Sequence, residues 1–431
     1  MDRMNRRKLL GSAAAGAGAL ALGRVAIGAK GANEKVVVGL IGCGGRGRGV
    51  ARTFAGRDDA AVAWVCDPDR ERLARGEKDL SGAKATPDLR KILDDKAVDA
   101  VVIATPDHWH GPATVLACKA GKHVYVEKPC SHNLREGRLM VEAARKHKRV
   151  VQVGTQSRSG EGLIEAVGLL RDGAIGEVLV AKAVNSQLRR NIGHGKPGRP
   201  PAGLEYDLWV GPAPFVPYQA NRLHYNWHWW YAFGTGDIGN DGVHELDVAR
   251  WGLGVDDRHP ASASGHAAKL FFDDDQEFPD TYYVTFDYPP AGRGKQRRIL
   301  IYEQRIWSPY GQEGFENGCM FYGTKGMMLA SKGEGYRLFG PRNQPVKDRK
   351  DSAGTAPHVA DFVDAIRIGC TPRAEIEVGH RSAALAHLAN IVARTGRAVT
   401  FNGRTERIVG DEQAGKLIGR MYREGHWAVP I

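Results

Sequence analysis

The chain has 431 residues, 42% apolar and 26% charged, which excludes a disordered chain, a collagen and a coiled coil and suggests two domains with sizeable cores. Its formal net charge is +12, but residues 1–30 hold Arg3, Arg6, Arg7, Lys8, Arg24 and Lys30 against Asp2 alone, a net +5 that leaves +7 for the rest. That remainder is scattered, runs such as Arg293–Arg298 suit solvated hairpin turns, and no nucleic-acid-binding signature accompanies them. No nucleic-acid partner is expected.

In chain order, Asn5-Arg6-Arg7-Lys8 precedes an apolar, Ala- and Gly-rich run from about Leu9 to Leu22, then small residues near Ala26–Ala29. This is the order of a secretory signal, and the run is short for a membrane span. The paired arginines resemble a twin-arginine export signal, although Asn5 stands where Ser or Thr is usual and Leu9 where Phe is usual. Residues 1–30 are therefore expected to be an export signal peptide that engages the twin-arginine machinery and delivers a folded protein to the periplasm or beyond. A Sec signal or an uncleaved anchor is the alternative. Six cysteines, none in a CxxC pair, suit neither a disulfide framework nor a structural zinc.

Residues 36–41 form a continuous apolar run, as a buried parallel strand requires. The run opens into Gly42-Cys43-Gly44-Gly45-Arg46-Gly47, which is G-x-G-x-x-G, and Val50 and Phe54 follow at helical spacing. The first glycine permits the tight turn, the second admits a pyrophosphate, and the third lets helix pack on strand. The helix N-terminus adds N–H donors and partial positive charge. A second strand, residues 61–66, ends at Asp67, where an acid should meet the ribose 2′-hydroxyl. Asp67 would repel a 2′-phosphate, so NAD is favoured over NADP, with Arg70 the nearby cation that would suit NADP. An N-cap role before Pro68 is the other use for Asp67. Strands at 98–104, 123–126 and 150–153 alternate with helices at 108–120 and 134–148, so residues 31–155 read as a doubly wound parallel sheet.

After residue 154 the pattern changes. A helix at 161–171 is followed by strands at 177–186, 261–271, 281–288, 297–305, 318–323 and 327–331, with helices returning at 358–368 and 380–394. Residues 156–431 therefore read as an α+β domain with a large, mostly antiparallel sheet. Within it, residues 206–233 carry 10 of the 34 aromatic residues of the chain. That loop is too aromatic for disorder. Most of its tryptophans are expected to pack, with His228 and neighbours such as Trp227 facing a substrate.

Thr105-Pro106-Asp107-His108-Trp109-His110 ends the fourth strand and Glu127-Lys128-Pro129 the fifth. With the glycine loop and Asn240-Asp241-Gly242-Val243-His244, these motifs resemble the Gfo/Idh/MocA oxidoreductase family over residues 35 to roughly 425. The resemblance implies a Rossmann domain whose Gly42, Gly44, Gly45, Arg46, Gly47, Asp67, Arg70, Thr105, Pro106, His108, His110, Glu127, Lys128 and Gln156 bind a tightly held NAD. It implies that Lys128 exchanges the hydroxyl proton while hydride moves between a substrate carbon and the nicotinamide, in a cleft whose burial suits proton transfer near neutrality. It further implies a cis bond before Pro129 and a catalytic His244. The family pattern is Asp-x-x-x-His, but Asn240 stands four residues before His244 and Asp241 lies about 100° off that helical face. Asn240 and Asp241 are still the candidates to assist Lys128 and His244. Arg158, Trp227, His228, Asn240 and His244 are the substrate-side candidates. His108, His110, His228 and His244 invite a zinc site on paper, but no metal is expected.

The expected activity is oxidation of a secondary alcohol of a sugar, polyol or glycoside by an exported homo-oligomer. The alternative is an NAD-dependent glycosidase working by transient C3 oxidation and elimination, although the His-Gly-Leu-Gly-type signature associated with one such group is absent. The third reading is a non-enzymatic sugar-binding protein.

Overall fold

A computed structural model describes residues 35–291, 296–311 and 314–430. The expected export signal at residues 1–30, and Arg293 to Lys295 of the basic run, lie outside them. Among the described residues no helix is long and apolar enough to cross a membrane.

The first sheet has six parallel strands in the order β3-β2-β1-β4-β5-β6. These are β1 (Val36–Ile41), β2 (Ala60–Cys66), β3 (Lys84–Thr86), β4 (Ala100–Ile103), β5 (His123–Val126) and β6 (Val151–Val153). The order reverses at β1 and β4, which run parallel with Ile41 beside Ile103. That switch point is where a doubly wound sheet binds its ligand. The helices of this half are α1 (Gly45–Ala55), α2 (Arg70–Asp79), α3 (Arg90–Asp94), α4 (Asp107–Lys119) and α5 (Leu134–Lys146). The strands β3, only three residues long, and the short α3 had no periodicity to reveal them.

The second sheet has ten strands in the order β14-β13-β12-β11-β7-β10-β9-β8-β15-β16. The strands are β7 (Val178–Ser186), β8 (Ser262–Ala268), β9 (Thr281–Tyr288), β10 (Arg298–Arg305), β11 (Asn317–Gly323), β12 (Met327–Ser331), β13 (Gly335–Phe339), β14 (Pro345–Arg349), β15 (Val399–Asn402) and β16 (Arg407–Val409). All pairs are antiparallel except β7 with β10. The remaining helices are α6 (Glu161–Arg171), α7 (Tyr206–Val210), α8 (Val243–Gly252), α9 (Thr355–Ile368), α10 (Ile376–Thr395) and α11 (Glu412–Lys416). Leu170, Leu246 and Leu385, from α6, α8 and α10, share the largest core with Val284 and Tyr302 of the sheet.

The halves are not separate in packing. Val359, Phe362 and Val363 of α9 fill the same core as Val38 of β1 and Phe54 of α1. Helix α9 thus covers one face of the first sheet although it lies some 200 residues beyond that sheet in the sequence. Ile376 and Ala383 of α10 join the core on the other face with Met140 of α5.

One cluster fastens the β15–β16 turn to the helices. Glu406 accepts from Nε2 of His259 (3.0 Å) and of His380 (2.9 Å), and Arg138 adds a 2.5 Å ion pair to the same oxygen. Nδ1 of each histidine is buried without a partner. A metal on both Nε2 atoms would turn those into buried N–H groups lacking acceptors, against the usual arrangement of metal-bound imidazoles. The group fits a hydrogen-bonded clamp.

Buried histidines make acid stability predictable. Burial pushes His108, His228 and His387 down to about 3, and His123 and His259 to about 4. Each is neutral in the fold and charged when unfolded below pH ~6.5, so each loses stability as pH falls. Burial raises Asp67 to about 6 and Asp107 and Glu245 to about 7, which opposes the trend. These five histidines outnumber the three acids, so together the eight groups leave about two extra protons on the unfolded chain near pH 5.5, or about 3 kcal/mol per pH unit. The melting temperature should therefore fall steadily from pH 6.5 to 5; a flat calorimetric profile there would show that these imidazoles are not held neutral.

Candidate active site

The glycine loop builds the first wall. Gly42 has φ +100°, and a Cβ there would lie 2.5 Å from the Ala104 carbonyl oxygen. At Gly47 a Cβ would meet the Gly42 carbonyl oxygen at 2.0 Å, so α1 packs directly on the turn. Gly45, by contrast, has nothing within 4 Å and opens onto the cleft. Helix α1 starts there with no side-chain cap and no acidic residue in its first turn. Its free N–H groups and dipole suit an anion.

Asp67 borders the same cleft, accepting N–H from Cys43 (2.8 Å) and Asp69 (3.0 Å). The N-cap of α2 is Asp69, which accepts from the Arg72 N–H at 3.0 Å, so capping does not consume Asp67. Arg72, not Arg70, lines the cleft; Arg70 is an exposed residue outside its wall. The cation beside the ribose position is thus two residues further on than expected. Spacing pointed to Arg70 because it is nearer Asp67, but the first turn of α2 aims the later side chain inward.

The cavity, of about 410 Å³, runs from Pro87–Leu89 past Asp67 and the glycine loop to Lys128 and Asn240. Thr105, Pro106 and His110 form its floor, and His110 ties that loop to the next strand through contacts with Pro129 O (2.6 Å) and Thr105 O (3.0 Å). His108 is not in the wall. It points the other way, with Nε2 2.9 Å from Trp209 O and its ring against Phe233. The i, i+2 spacing on α4 separates the two imidazoles to different sides. Asp107, a motif residue with no expected role, lines the cavity and accepts a 2.6 Å hydrogen bond from Thr235 Oγ1.

Lys128 stands at the far end, on a cis Lys128–Pro129 bond as the resemblance implies. Its Nζ donates to the Asn240 carbonyl oxygen and to Asn240 Oδ1 (3.2 Å). Behind it, Glu127 accepts from the Lys128 N–H (3.3 Å) and from Arg46 Nε (2.7 Å). The Asn240 carbonyl reaches Lys128 because residues 238–242 form a π-helical turn before α8. Such turns recur at functional sites and defeat a simple 3.6-residue count.

Asn240 is itself held, its Nδ2 donating to Asp237 Oδ1 (3.1 Å) and Tyr225 OH (3.2 Å). Arg189 binds both Asp237 (3.0 Å) and Asp241. Burial alone would raise Asp241, but the charges of Lys128 and Arg189 outweigh it and hold the carboxylate well below its usual range. His244 lies buried behind this layer rather than in the cavity wall; burial, then the charges of Lys332 and Lys128, keep its imidazole neutral. Arg189, Tyr225 and Lys332 carried no motif that would have marked them.

The aromatic loop closes the cleft. His224, Tyr225, Trp227 and His228 line it, with the Trp227 and His228 rings stacked at 3.6 Å. His224 also meets Asp69 at 2.9 Å. Tyr206, Trp230 and Phe233 instead form a small core of their own with Trp209, which also borders the cavity.

Two candidates lie elsewhere. Gln156 donates to Tyr125 OH at 3.0 Å behind the strand ends, outside the cavity wall. Arg158 is buried in ion pairs with Asp247 (2.8 Å) and Asp256 (2.8 Å), over the Trp251 ring. Their polarity, just past β6, looked functional; here Arg158 satisfies carboxylates and Gln156 a tyrosine hydroxyl. Arg158→Ala would strand those charges and should cost ~3–5 kcal/mol of stability while folded molecules turn over normally. Urea unfolding checks the first part, and a midpoint unchanged from the parent would refute it.

The uncapped helix N-terminus, the open Gly45 and the acid at Asp67 fit a dinucleotide with a free 2′-hydroxyl. Comparison with known proteins agrees. The family model for the NAD-binding Rossmann fold of the Gfo/Idh/MocA oxidoreductases matches residues 36–155, and its C-terminal alpha/beta domain matches residues 192–283 and 327–429. Inositol 2-dehydrogenase 2 of Saccharopolyspora erythraea is 29% identical over 58% of this chain and 62% of its own length. Glycosyl hydrolase family 109 protein 2 of a Shewanella species is 33% identical over 35% of each chain. The chain thus spans less than two thirds of either relative. The aldose-aldose oxidoreductase of Caulobacter crescentus shares the fold, with a TM-score of 0.66 at 20% identity over 85% of this chain and all of that one.

Proposed function

The chain belongs to the Gfo/Idh/MocA oxidoreductase family and carries its NAD-binding Rossmann fold, and from that premise we propose that it oxidises a secondary alcohol of a sugar, polyol or glycoside. The observation that carries this reading is the Lys128 Nζ, held by Asn240 at the end of the glycine-loop cavity opposite Asp67. Bound NAD supplies the hydride acceptor. Lys128, as the free amine, takes the hydroxyl proton, and the returned proton reverses the step. Asn240 positions that amine through its carbonyl and amide oxygens. Asp237 and Tyr225 fix Asn240, and Arg189 neutralises the two acids beside it. Neutral His244 backs this layer. Trp227 and His228 offer an aromatic face with a polar edge, suited to a sugar ring.

Export through the twin-arginine route follows from the leader. Free NAD is scarce outside the cytoplasm, so a retained cofactor, re-reduced or re-oxidised by a second substrate, suits that location. The exposed Tyr283 and Tyr322 of the ten-stranded sheet support a homo-oligomer built through that sheet. A second reading, glycoside cleavage by transient oxidation, is favoured by the likeness to the family 109 glycosyl hydrolase over 35% of the chain.

Denaturing the purified protein and assaying the supernatant for NAD(H), then incubating native protein with free sugars and with glycosides, separates these. Released NAD(H) and a keto-sugar product support oxidation, whereas aglycone release without net NADH supports cleavage. Absence of both cofactor and turnover would overturn the reading.

A further inference from the structure

The adenosine end of the cavity is closed by a segment with no part in the reading above. Residues 420–428 run back from the second domain over the first. Arg420 pairs with Glu136 (2.7 Å) and donates to the His108 carbonyl oxygen (2.6 Å), and Tyr422 OH bonds the same carboxylate (2.7 Å). The Arg423 N–H bonds Pro212 O (2.9 Å), and its guanidinium pairs with Asp207 (2.7 Å). Ala428 is buried in the core beside Trp109. Between these anchors Trp427 keeps 37% of its surface exposed and lines the cavity near Pro87, Asp88 and Leu89.

In a sheet ordered β3-β2-β1-β4-β5-β6, a dinucleotide with its pyrophosphate on α1 and a ribose on Asp67 has its adenine beyond β2, towards the loop after β3. That loop is Pro87–Leu89. The indole there is already braced: the Arg90 guanidinium sits 4.6 Å from its ring centre, and the Trp109 ring 5.8 Å away. An indole fixed by its neighbours on one side and open to a cavity on another is a stacking platform, since every base has a π face. We propose that Trp427 is a cofactor-binding residue, the wall on which the adenine stacks, and that the 420–428 strap holds the cofactor in place between turnovers. This rests on the dinucleotide reading of the cavity.

The test is NADH release and fragment binding by the full-length protein carrying Trp427→Ala or Trp427→Phe. Base-on-aromatic stacking is worth about tenfold or more in affinity. NADH dissociation, followed by fluorescence after a chase with excess NAD, should quicken at least tenfold in the alanine variant and less than threefold in the phenylalanine variant. AMP should compete at least tenfold more weakly in W427A, with competition by nicotinamide mononucleotide unchanged. Release within twofold of the parent in W427A would overturn the assignment. So would equal losses for AMP and nicotinamide mononucleotide, which would mean that the whole cleft had loosened. A parent protein that binds neither NADH nor AMP would instead overturn the dinucleotide reading itself.

Discussion

Lys128→Met should lower turnover by about 10³-fold or more while leaving NAD bound. General acid–base catalysis by a positioned side chain contributes 10²–10⁴-fold, and the cavity offers no ready replacement. His244 is buried behind the wall and held neutral. Asp107 borders the cavity but is buried, and its Oδ2 is already bonded to Thr235. Asp241 is committed to Arg189 and Gln187. Methionine keeps the length and apolar stem of lysine and removes only the titrating head. The Asn240 carbonyl would lose its donor, but Asn240 lines the open cavity, from which water can reach it. Steady-state rates alongside NAD content of the purified variant give the answer; turnover within tenfold of the parent would remove Lys128 from the mechanism.

Gly42→Ala should abolish cofactor retention and cost several kcal/mol of stability. At φ +100° an L-residue is strained by roughly 1–3 kcal/mol. The new Cβ would also press on backbone, 2.5 Å from Ala104 O and 2.9 Å from Thr105 N, where no rotamer can yield. Relief would need β1 and β4 to separate at the switch point. Gly45→Ala is the informative contrast. Its Cβ meets no protein atom, so the melting temperature should hold or rise, yet the methyl would intrude where a phosphate sits and NAD binding should weaken. Thermal melts and NADH titration of both variants distinguish a folding defect from a binding defect. Equal stability of Gly42→Ala and the parent would show that the turn can open without cost.

The parts of this site that could be read from residues alone are those made by local backbone chemistry. A strand running into G-x-G-x-x-G needs glycine where φ is positive or where backbone leaves no room for a Cβ, and Gly42 meets the first need and Gly47 the second within six residues. Glu127-Lys128-Pro129 lies at a strand end for the same local reason. The alternation of apolar strand and amphipathic helix likewise foretold the parallel sheet, and the later change of period foretold the antiparallel one.

What local pattern could not convey was which polar groups are spent on the fold. Arg158, His108 and Gln156 belong to residue types that do chemistry, and they stand beside motif positions. Whether they face a cavity depends on partners far along the chain: Asp247 for Arg158, Trp209 for His108. The same holds for residues that turned out to matter. Asn240 meets Lys128 across 112 positions, and it does so through a backbone carbonyl freed by a π-helical turn. Tyr225 and Trp427 reach the cleft through loop paths that no periodicity encodes, Arg72 reaches it from the first turn of α2, and Arg189 binds the acids behind Asn240. Motifs therefore established the fold and the cofactor and pointed to the lysine, because these depend on contacts within a turn or a strand. Only the tertiary structure decided the lysine's neighbours, the closure of the cleft and the fate of the spare polar residues, because long-range packing alone determines which charges end buried together and which are left facing open space.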